Sequence, residues 1–306
     1  MEGLLIVDKP VGPTSHDVVA RTRRVLGERR IGHTGTLDPM ASGVLALVLG
    51  RATRLARFLS ADDKTYDAEV RFGVATDTYD AQGAETTVRH AGPMPSRAEI
   101  ERTLDAFRGT FMQQPPAYSA KKIDGKRSYA LARNAPVNAA RAVVLPPPAS
   151  VTAAIDLLGV DGDRATLRIT CSAGFYVRAL AHDLGERLGV GAHLVALRRT
   201  RTGDFTLDDS IALDTLERTP AAAAAAVIPP EGMLPDMAAA ILTDAGESHV
   251  AHGRDLGPDD VQELRAGAAS GHRAGVRLID RHGRLLGIAD PASQSSGLLH
   301  PSVVLM

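Results

Sequence analysis

The chain has 306 residues, a net charge of −1 and a single cysteine, Cys171. This length is enough for one large domain and one small one, while a lone cysteine excludes an internal disulfide and a cysteine-rich zinc site. The sequence contains no secretion signal pattern, no apolar run long enough to cross a membrane and no nucleotide-phosphate fingerprint. We therefore expect a protein of the cytoplasm.

The first predicted elements are a buried strand, a turn and a helix. Residues 4–7 form an apolar run, and the pair Lys9-Pro10 indicates a turn after it. Thr14 or Ser15 can then cap a helix over about residues 15–27, because apolar side chains recur there on one face.

The next feature is a stiff loop that places one carboxylate before an apolar run. Residues 32–43 read GHTGTLDPMASG, and residues 44–49 follow as a buried strand or helix. Pro39 fixes its own φ and biases Asp38 toward an extended backbone, while the glycines permit tight turns. A carboxylate held this rigidly suits a nucleophile or a base, although an ordinary capping turn has the same composition.

An alternating strand and a turn with two carboxylates come next. Apolar side chains alternate with polar ones from Tyr66 to residue 72, which predicts a half-buried strand. Asp77 and Asp80 lie in the pattern TDTYDAQG, which favours a strand-ending turn over a metal site. A helix is predicted over about residues 97–108.

Charge is distributed unevenly along the chain. Residues 206–306 carry 7 Lys and Arg against 14 Asp and Glu, a net −7, which leaves 28 against 22, a net +6, for residues 1–205. Within the basic part, residues 121–141 carry six Lys and Arg against Asp124 alone. Such a loop can neutralise nucleic-acid phosphates, although a solvated surface loop has the same composition.

The segment after Cys171 predicts a strand that presents Tyr176 and Arg178 on one face. A helix over about residues 178–188 follows, and then the segment Leu197-Arg198-Arg199-Thr200. Strands are mixed with helices here and upstream without a regular βα alternation, which favours an α+β fold with a largely antiparallel sheet over a doubly wound one.

The last third of the chain indicates a second domain. Six alanines at residues 221–226, closed off by Pro229-Pro230, indicate a helix end or a linker. We predict domains over residues 1–230 and 234–306. Short strands are predicted in the second domain, the first two as a hairpin, at residues 275–280, 285–289 and 302–305.

Five ordered motifs resemble the TruB family of tRNA pseudouridine synthases, over roughly residues 3 to 205. The segments that carry the resemblance are GLLIVDKPVGPTSHDVV, GHTGTLDPMASG, DKTYDAEVRFG with GVATDT, PPAYSAKK with GKR, and CSAGFYVRALAHDLGERLGVGAHLVALRRTRTG. The resemblance implies a pseudouridine synthase fold: a long mixed, largely antiparallel sheet with a central RNA-binding cleft, and a small C-terminal PUA-like β-barrel. It also implies an insertion loop at about residues 113–145 that closes on the T arm of tRNA.

The implied activity is isomerisation of uridine to pseudouridine at position 55 in the T loop of tRNA. No guide RNA, metal or other cofactor is implied, and the protein is expected to act as a monomer. Two alternatives stay open: a relative that acts on other RNAs or within a guide-RNA complex, and a tRNA-binding folding factor whose chemistry is incidental.

The resemblance assigns roles residue by residue. Asp38 is the catalytic carboxylate, and either attack on C1′ or removal of the 2′ proton is compatible with it. Arg178 is its partner, Tyr66 stacks on the flipped uracil and can handle the C5 proton, Leu197 forms the opposite apolar wall, and Tyr176 lines the pocket.

Further residues are implied in RNA binding or in support of the loop. His33 contacts the RNA near the vacated stack, and Lys9 with Pro10 braces the active-site loop. The residues implied at the RNA backbone are Lys121, Lys122, Lys126 and Arg127.

Overall fold

The structure, a computed structural model, describes residues 1–118, 122–123, 126–127, 145–267, 274–291 and 298–306. Contacts divide the chain into two compact units. The first comprises Met1–Leu37, Leu45–Asp62 and Asp208–Met306, and the second comprises Asp38–Val44 and Asp63–Leu207. The division into domains at residues 230 to 234 stays a prediction.

Strands and helices alternate irregularly along the chain. The strands are β1 (Gly3–Lys9), β2 (Ile31–His33), β3 (Ala41–Leu49), β4 (Lys64–Phe72), β5 (Gly109–Gln113), β6 (Lys122–Ile123), β7 (Lys126–Arg127), β8 (Ala149–Asp161), β9 (Arg164–Cys171), β10 (Ala192–Thr202), β11 (Phe205–Thr206), β12 (Ile211–Ala212), β13 (Ala238–Leu242), β14 (Val261–Arg265), β15 (Val276–Ile279), β16 (Leu285–Pro291) and β17 (Leu299–Val304). The helices are α1 (Ser15–Leu26), α2 (Ala56–Ser60), α3 (Arg97–Leu104), α4 (Val177–Arg187), α5 (Leu213–Arg218), α6 (Pro220–Ala225) and α7 (Asp244–Ala251).

Helix α1 begins and ends where its sequence signals indicate. Thr14 and Asp17 form a capping box, in which each side chain satisfies the backbone N–H of the other residue. Gly27 ends the helix with a left-handed φ of 65°, a conformation that glycine adopts without steric cost. Ser15 does not cap: its buried hydroxyl accepts the N–H of Leu37 at 2.8 Å and donates to the carbonyl of Leu37 at 3.0 Å.

A mixed sheet forms the framework of the second unit. Its strand order is β3-β10-β4-β9-β8-β5, with β11 paired to β10. Strand β3 runs parallel to β10, whereas the other pairs along this path are antiparallel. The expectation of a mixed, largely antiparallel sheet in an α+β fold is therefore confirmed.

The C-terminal part of the first unit holds a separate five-stranded sheet in the order β14-β13-β15-β16-β17. Its core includes Leu242, Val250, Leu278 and Leu286. The predicted hairpin is confirmed as β15 and β16, joined through a hydrogen bond from the N–H of Asp280 to the carbonyl of Arg284. The strand order is open among the described residues, so the PUA-like barrel is not established here.

The prediction that Arg178 lies on a strand is wrong, because Arg178 occupies the first turn of α4. β9 ends at Cys171, and Tyr176 is the residue that precedes the helix. The side chain of Gln113 accepts the N–H of Tyr176 at 2.8 Å and donates to its carbonyl at 3.0 Å. Aromatic and β-branched residues at 175–177 favour a strand locally, but the helix begins at Val177, directly after the backbone that Gln113 holds.

Helix predictions agree with the structure more closely. The helix expected over 97–108 is α3 followed by a 3₁₀ turn at Asp105–Phe107, and the alanine run forms α6. Within the described residues, no helix is both long enough and apolar enough to span a membrane.

Candidate active site

An ion pair between Asp38 and Arg178 lies at the centre of the candidate site. Nε of Arg178 is 2.8 Å from Oδ2 of Asp38. The arginine side chain is only 8% exposed, whereas that of Asp38 is 36% exposed. The carboxylate is thus accessible to a ligand while its partner is held within the protein.

The Asp38 backbone is constrained on both sides. On the N-terminal side, Leu37 is bonded through both its backbone groups to the buried hydroxyl of Ser15. On the C-terminal side, the carbonyl of Asp38 accepts the N–H of Ala41 at 3.0 Å, which closes a turn through Pro39. A carboxylate positioned in this way loses little conformational freedom on binding a substrate.

Each Nη atom of Arg178 is fixed by a main-chain carbonyl. Nη1 donates to the carbonyl of Thr78 and Nη2 to that of Tyr118, each at 2.9 Å. Because the guanidinium is planar, these two bonds also set the direction in which Nε faces Asp38.

A second carboxylate, Asp80, also approaches Arg178. Its Oδ2 lies 3.7 Å from Nε of Arg178, and the residue is buried. Oδ1 of Asp80 accepts the hydroxyl of Thr78 at 2.7 Å and the N–H of Gln82 at 3.0 Å. The turn expected at this position is present, but its sequence pattern gives no sign of the contact with a residue almost one hundred positions away.

Strand register places Tyr66 and Leu197 on one face of the sheet. Across β10 and β4, Leu197 pairs with Ala68, and Arg199 pairs with Tyr66. Since side chains on a strand alternate between faces, residues 197 and 199 project to the same side as residues 66 and 68. Tyr66 and Leu197 are both buried.

Burial dominates the electrostatics of the Tyr66 hydroxyl. Desolvation raises its pKa above the usual value, and the charge of Asp38 acts in the same direction. The guanidinium of Arg199 opposes this effect through its charge and a hydrogen bond to the phenol.

Strand β3 approaches β10 so closely that only glycine fits at position 43. Gly43 pairs with Arg199 and has φ +103°. A Cβ atom there would lie 2.1 Å from the carbonyl oxygen of Arg199. The glycine that ends the Asp38 loop therefore sets the spacing between this loop and β10.

Three other predicted site residues have described positions, each given within its own unit. Tyr176 is half-buried beside Gln113 in the second unit. In the first unit, His33 ends β2 with its ring centroid 5.6 Å from that of His16. Lys9 is fully buried at the end of β1, where its Nζ donates to the carbonyl of Pro10 at 2.8 Å. The roles expected for these residues stay predictions.

The predicted RNA-backbone residues are only partly covered. Lys121 lies outside the described residues. Lys122 pairs with Arg127 across the short strands β6 and β7, which also include Lys126, and only the backbone is described there. Within the described part of the chain, no group of three or more His, Cys, Asp or Glu side chains could hold a metal ion.

Sequence models of two related domains match adjoining parts of the chain. Residues 23–177 match the N-terminal domain of TruB family pseudouridylate synthases. Residues 178–232 match the C-terminal domain of tRNA pseudouridylate synthase B.

Curated relatives extend the similarity along the chain. A tRNA pseudouridine synthase B of Solibacter usitatus is 40% identical over 307 residues and covers 100% of both chains. That of Thermobifida fusca is 41% identical over 303 residues, 96% of each chain. That of Gloeobacter violaceus is 47% identical over 241 residues, which are 78% of this chain and 81% of the relative.

Solved structures agree with the fold. One chain from an H/ACA RNP bound to a substrate RNA containing 2'-deoxyuridine has a TM-score of 0.73 at 26% identity, covering 99% of this chain and 85% of its own. Another, from an archaeal box H/ACA sRNP Nop10-Cbf5 complex, has a TM-score of 0.72 at 26% identity, covering 100% and 86%.

Proposed function

The chain belongs to the TruB family of pseudouridylate synthases, and on this basis we propose that it converts uridine 55 in the T loop of tRNA to pseudouridine without a guide RNA. Relatives named tRNA pseudouridine synthase B that match its whole length support the tRNA substrate. The names of these relatives do not specify position 55 or independence from a guide RNA, and we propose both for this chain.

The observation that carries the chemistry is the half-exposed Asp38 held by the buried Arg178. Pseudouridine formation breaks the bond from uracil N1 to C1′ and rejoins the ring through C5. One carboxylate acts at the sugar, either by attack on C1′ or by removal of the 2′ proton. Both routes require an accessible Asp38 oxygen, which its 36% exposure provides. The guanidinium of Arg178 balances the negative charge of Asp38 and leaves part of the carboxylate exposed.

The neighbouring side chains suit the uracil after it leaves its stack. Flipping a base out of folded RNA costs a few kcal/mol, which contacts within the pocket offset. Tyr66 supplies an aromatic ring for stacking and Leu197 an apolar wall, since both project from the same face of the sheet. Once C5 has bonded to C1′, the C5 proton must leave, and we assign its relay to the Tyr66 hydroxyl, whose oxygen accepts this proton while the hydroxyl's own proton passes to water.

The contact between Arg178 and the carbonyl of Tyr118 bears on substrate binding. Tyr118 lies near the start of the proposed insertion loop, residues 113–145, whose lysines and arginines would neutralise phosphates of the T arm. We further propose that the protein has a central RNA-binding cleft and a C-terminal PUA-like barrel, and that it is a monomer located in the cytoplasm. His33 would contact the RNA, Lys9-Pro10 would brace the loop, and Tyr176 would line the pocket.

The test is to map pseudouridine in a tRNA transcript treated with the purified protein and no other RNA. Carbodiimide labelling followed by reverse transcription locates each product, and the Asp38→Asn variant is the matched control. We expect a single product at position 55 with the native protein and none with the variant. A product elsewhere in the tRNA would contradict the T-loop assignment. Tight tRNA binding without any product would instead favour the tRNA-folding alternative.

A further inference from the structure

A buried arginine lies beside Tyr66 on the neighbouring strand. Arg199 is 2% exposed and pairs in register with Tyr66 on one side and with Gly43 on the other. Its guanidinium carbon lies 6.0 Å from the centroid of the Tyr66 ring. Burying an arginine is costly unless its charge and donors are satisfied, so the groups that this guanidinium approaches are held in fixed positions.

Two interactions of the Arg199 guanidinium concern Tyr66, an anchor on β3 and an approach to the phenol. Nε donates to the carbonyl of Val44 at 2.7 Å, a residue of β3. The same guanidinium lies 6.0 Å from the centroid of the Tyr66 ring, and its charge and hydrogen bonding lower the pKa of the Tyr66 hydroxyl. Because the guanidinium is planar, the anchor at Val44 fixes the direction from which an N–H reaches the phenol oxygen.

We propose that Arg199 is a positioning residue for the reaction, which orients the Tyr66 hydroxyl toward the uracil by donating an N–H to its oxygen. This inference rests on the proposed function, in which Tyr66 handles the C5 proton. Arg178 and Arg199 then have separate roles, since Arg178 orients the carboxylate that acts at the sugar and Arg199 orients the phenol that acts at the base.

The charge of Arg199 adds a second effect on the same oxygen. Desolvation raises the pKa of Tyr66, whereas the positive charge and the donated hydrogen bond of Arg199 lower it. Removing Arg199 would leave the phenol buried without this compensation, and its pKa would rise further. A residue that only filled space would have no such effect on the hydroxyl.

A double-mutant cycle between Arg199→Gln and Tyr66→Phe tests the inference. If Arg199 acts through the hydroxyl, Arg199→Gln alone should lower kcat at least about tenfold and leave KM within about twofold. In the Tyr66→Phe background, the same substitution should lower kcat by less than about twofold, because the hydroxyl is already absent. If the loss of kcat in the double variant is the product of the losses in the two single variants, the two residues act independently and the proposal is wrong.

Arg201→Gln is the matched control on the same strand. Arg201 donates to the hydroxyl of Thr65 at 3.2 Å and to the carbonyl of Gly203 at 2.7 Å. Its substitution should leave kcat within about twofold of the native value, as for a residue outside the reaction. An equal loss in the two glutamine variants would mean that arginines of β10 support the sheet in general, and would contradict a specific role for Arg199.

A titration that needs no activity separates this inference from the proposed function. With tyrosine labelled at ¹³Cζ, the Tyr66 signal is assigned by its absence in Tyr66→Phe. Its titration midpoint should move to higher pH in Arg199→Gln and stay in place in Arg201→Gln. If the titration midpoint of Tyr66 is unchanged in Arg199→Gln, the role proposed for Arg199 is wrong even if the enzyme is active. An inactive native protein would contradict the proposed function alone.

If Arg199→Gln fails to fold, Arg199→Lys, which keeps the charge but loses the two-point geometry, is judged in the same cycle by the same criterion.

Discussion

Arginines of the candidate site and arginines of the C-terminal sheet are held in different ways. Arg178 and Arg199 are almost fully buried. Arg178 donates to the carbonyls of Thr78 and Tyr118 and pairs with Asp38, and Arg199 donates to the carbonyl of Val44. In the C-terminal sheet region, the side chains of Arg265 and Arg281 are 61% and 60% exposed, with contacts only to side chains within the described residues.

This difference indicates where a change of charge matters. Exposed pairs gain little, typically about 0–1 kcal/mol, because water screens them and long side chains lose entropy on pairing. A buried guanidinium bonded to fixed carbonyls holds one geometry, so that even a substitution that preserves charge alters it. The variants below test this contrast, from the largest expected effect to the smallest.

Asp38→Asn should have the largest effect. The substitution keeps the size of the side chain and the loop geometry, and it removes the charge that Arg178 holds in place. We expect no measurable pseudouridine formation, while tRNA affinity changes by less than about tenfold, or roughly 1.4 kcal/mol. Single-turnover assays and filter binding check the two quantities separately. Turnover by the variant, with deamidation excluded by mass spectrometry, would remove Asp38 from the chemistry.

Arg178→Lys should rank second. Lysine keeps the positive charge but cannot reach Asp38 and the carbonyls of Thr78 and Tyr118 together. We expect turnover to fall at least about tenfold with tRNA affinity nearly unchanged. Arg265→Lys, the same substitution in an exposed pair, should leave both turnover and stability at the native value. Equal behaviour of the two variants would break the contrast between buried and exposed arginines.

Asp80→Asn should have a smaller effect on the same arginine. The amide can still accept the bonds from Thr78 and Gln82, but the negative charge near Nε of Arg178 is lost. We expect turnover to fall about tenfold, which corresponds to roughly 1.4 kcal/mol in the activation barrier. Asp77→Asn is the control, because Asp77 is an exposed residue of the same turn that accepts the N–H of Ala84 at 2.8 Å. A loss of similar size at Asp77 would assign the effect to the turn instead of to Arg178.

Deleting residues from Leu234 onward should affect the chemistry least. The residues assigned to the reaction lie before residue 206, and residues 206–306 carry a net charge of −7. We expect the truncated protein to modify an isolated T-arm stem-loop with nearly native efficiency and to lose more efficiency on full-length tRNA, which can reach a second domain. The comparison needs a check of folding, because Arg54 and Arg57 of the first unit donate to Val304 and Ser302 of the deleted part. A folded but inactive truncation would contradict the predicted domain boundary.

Several of the elements that depend on neighbours along the chain were predicted from the sequence. The cap at Thr14 and the apolar face that follows it located α1, and the alternation from Tyr66 onward located β4. By contrast, β13 was missed because three of its five residues are alanine, which has a low strand propensity and here belongs to a buried sheet.

In the site, the motifs indicated Asp38, Tyr66, Arg178 and Leu197, but not all of their partners. The approach of Asp80 to Arg178 depends on how a turn packs against a helix far along the chain, and a local pattern does not encode that. Arg199 belongs to a motif that the sequence analysis identified. Its position beside Tyr66, however, is seen only in the register between β4 and β10.

The parallel pairing of Gly43 with Arg199 has a consequence during translation. The ribosome makes Asp38 early, but the strand that lies beside its loop is made more than 150 residues later. Contacts so distant in sequence form slowly and only when both partners have left the exit tunnel. A nascent chain therefore carries the carboxylate for most of its synthesis without the wall that completes the pocket.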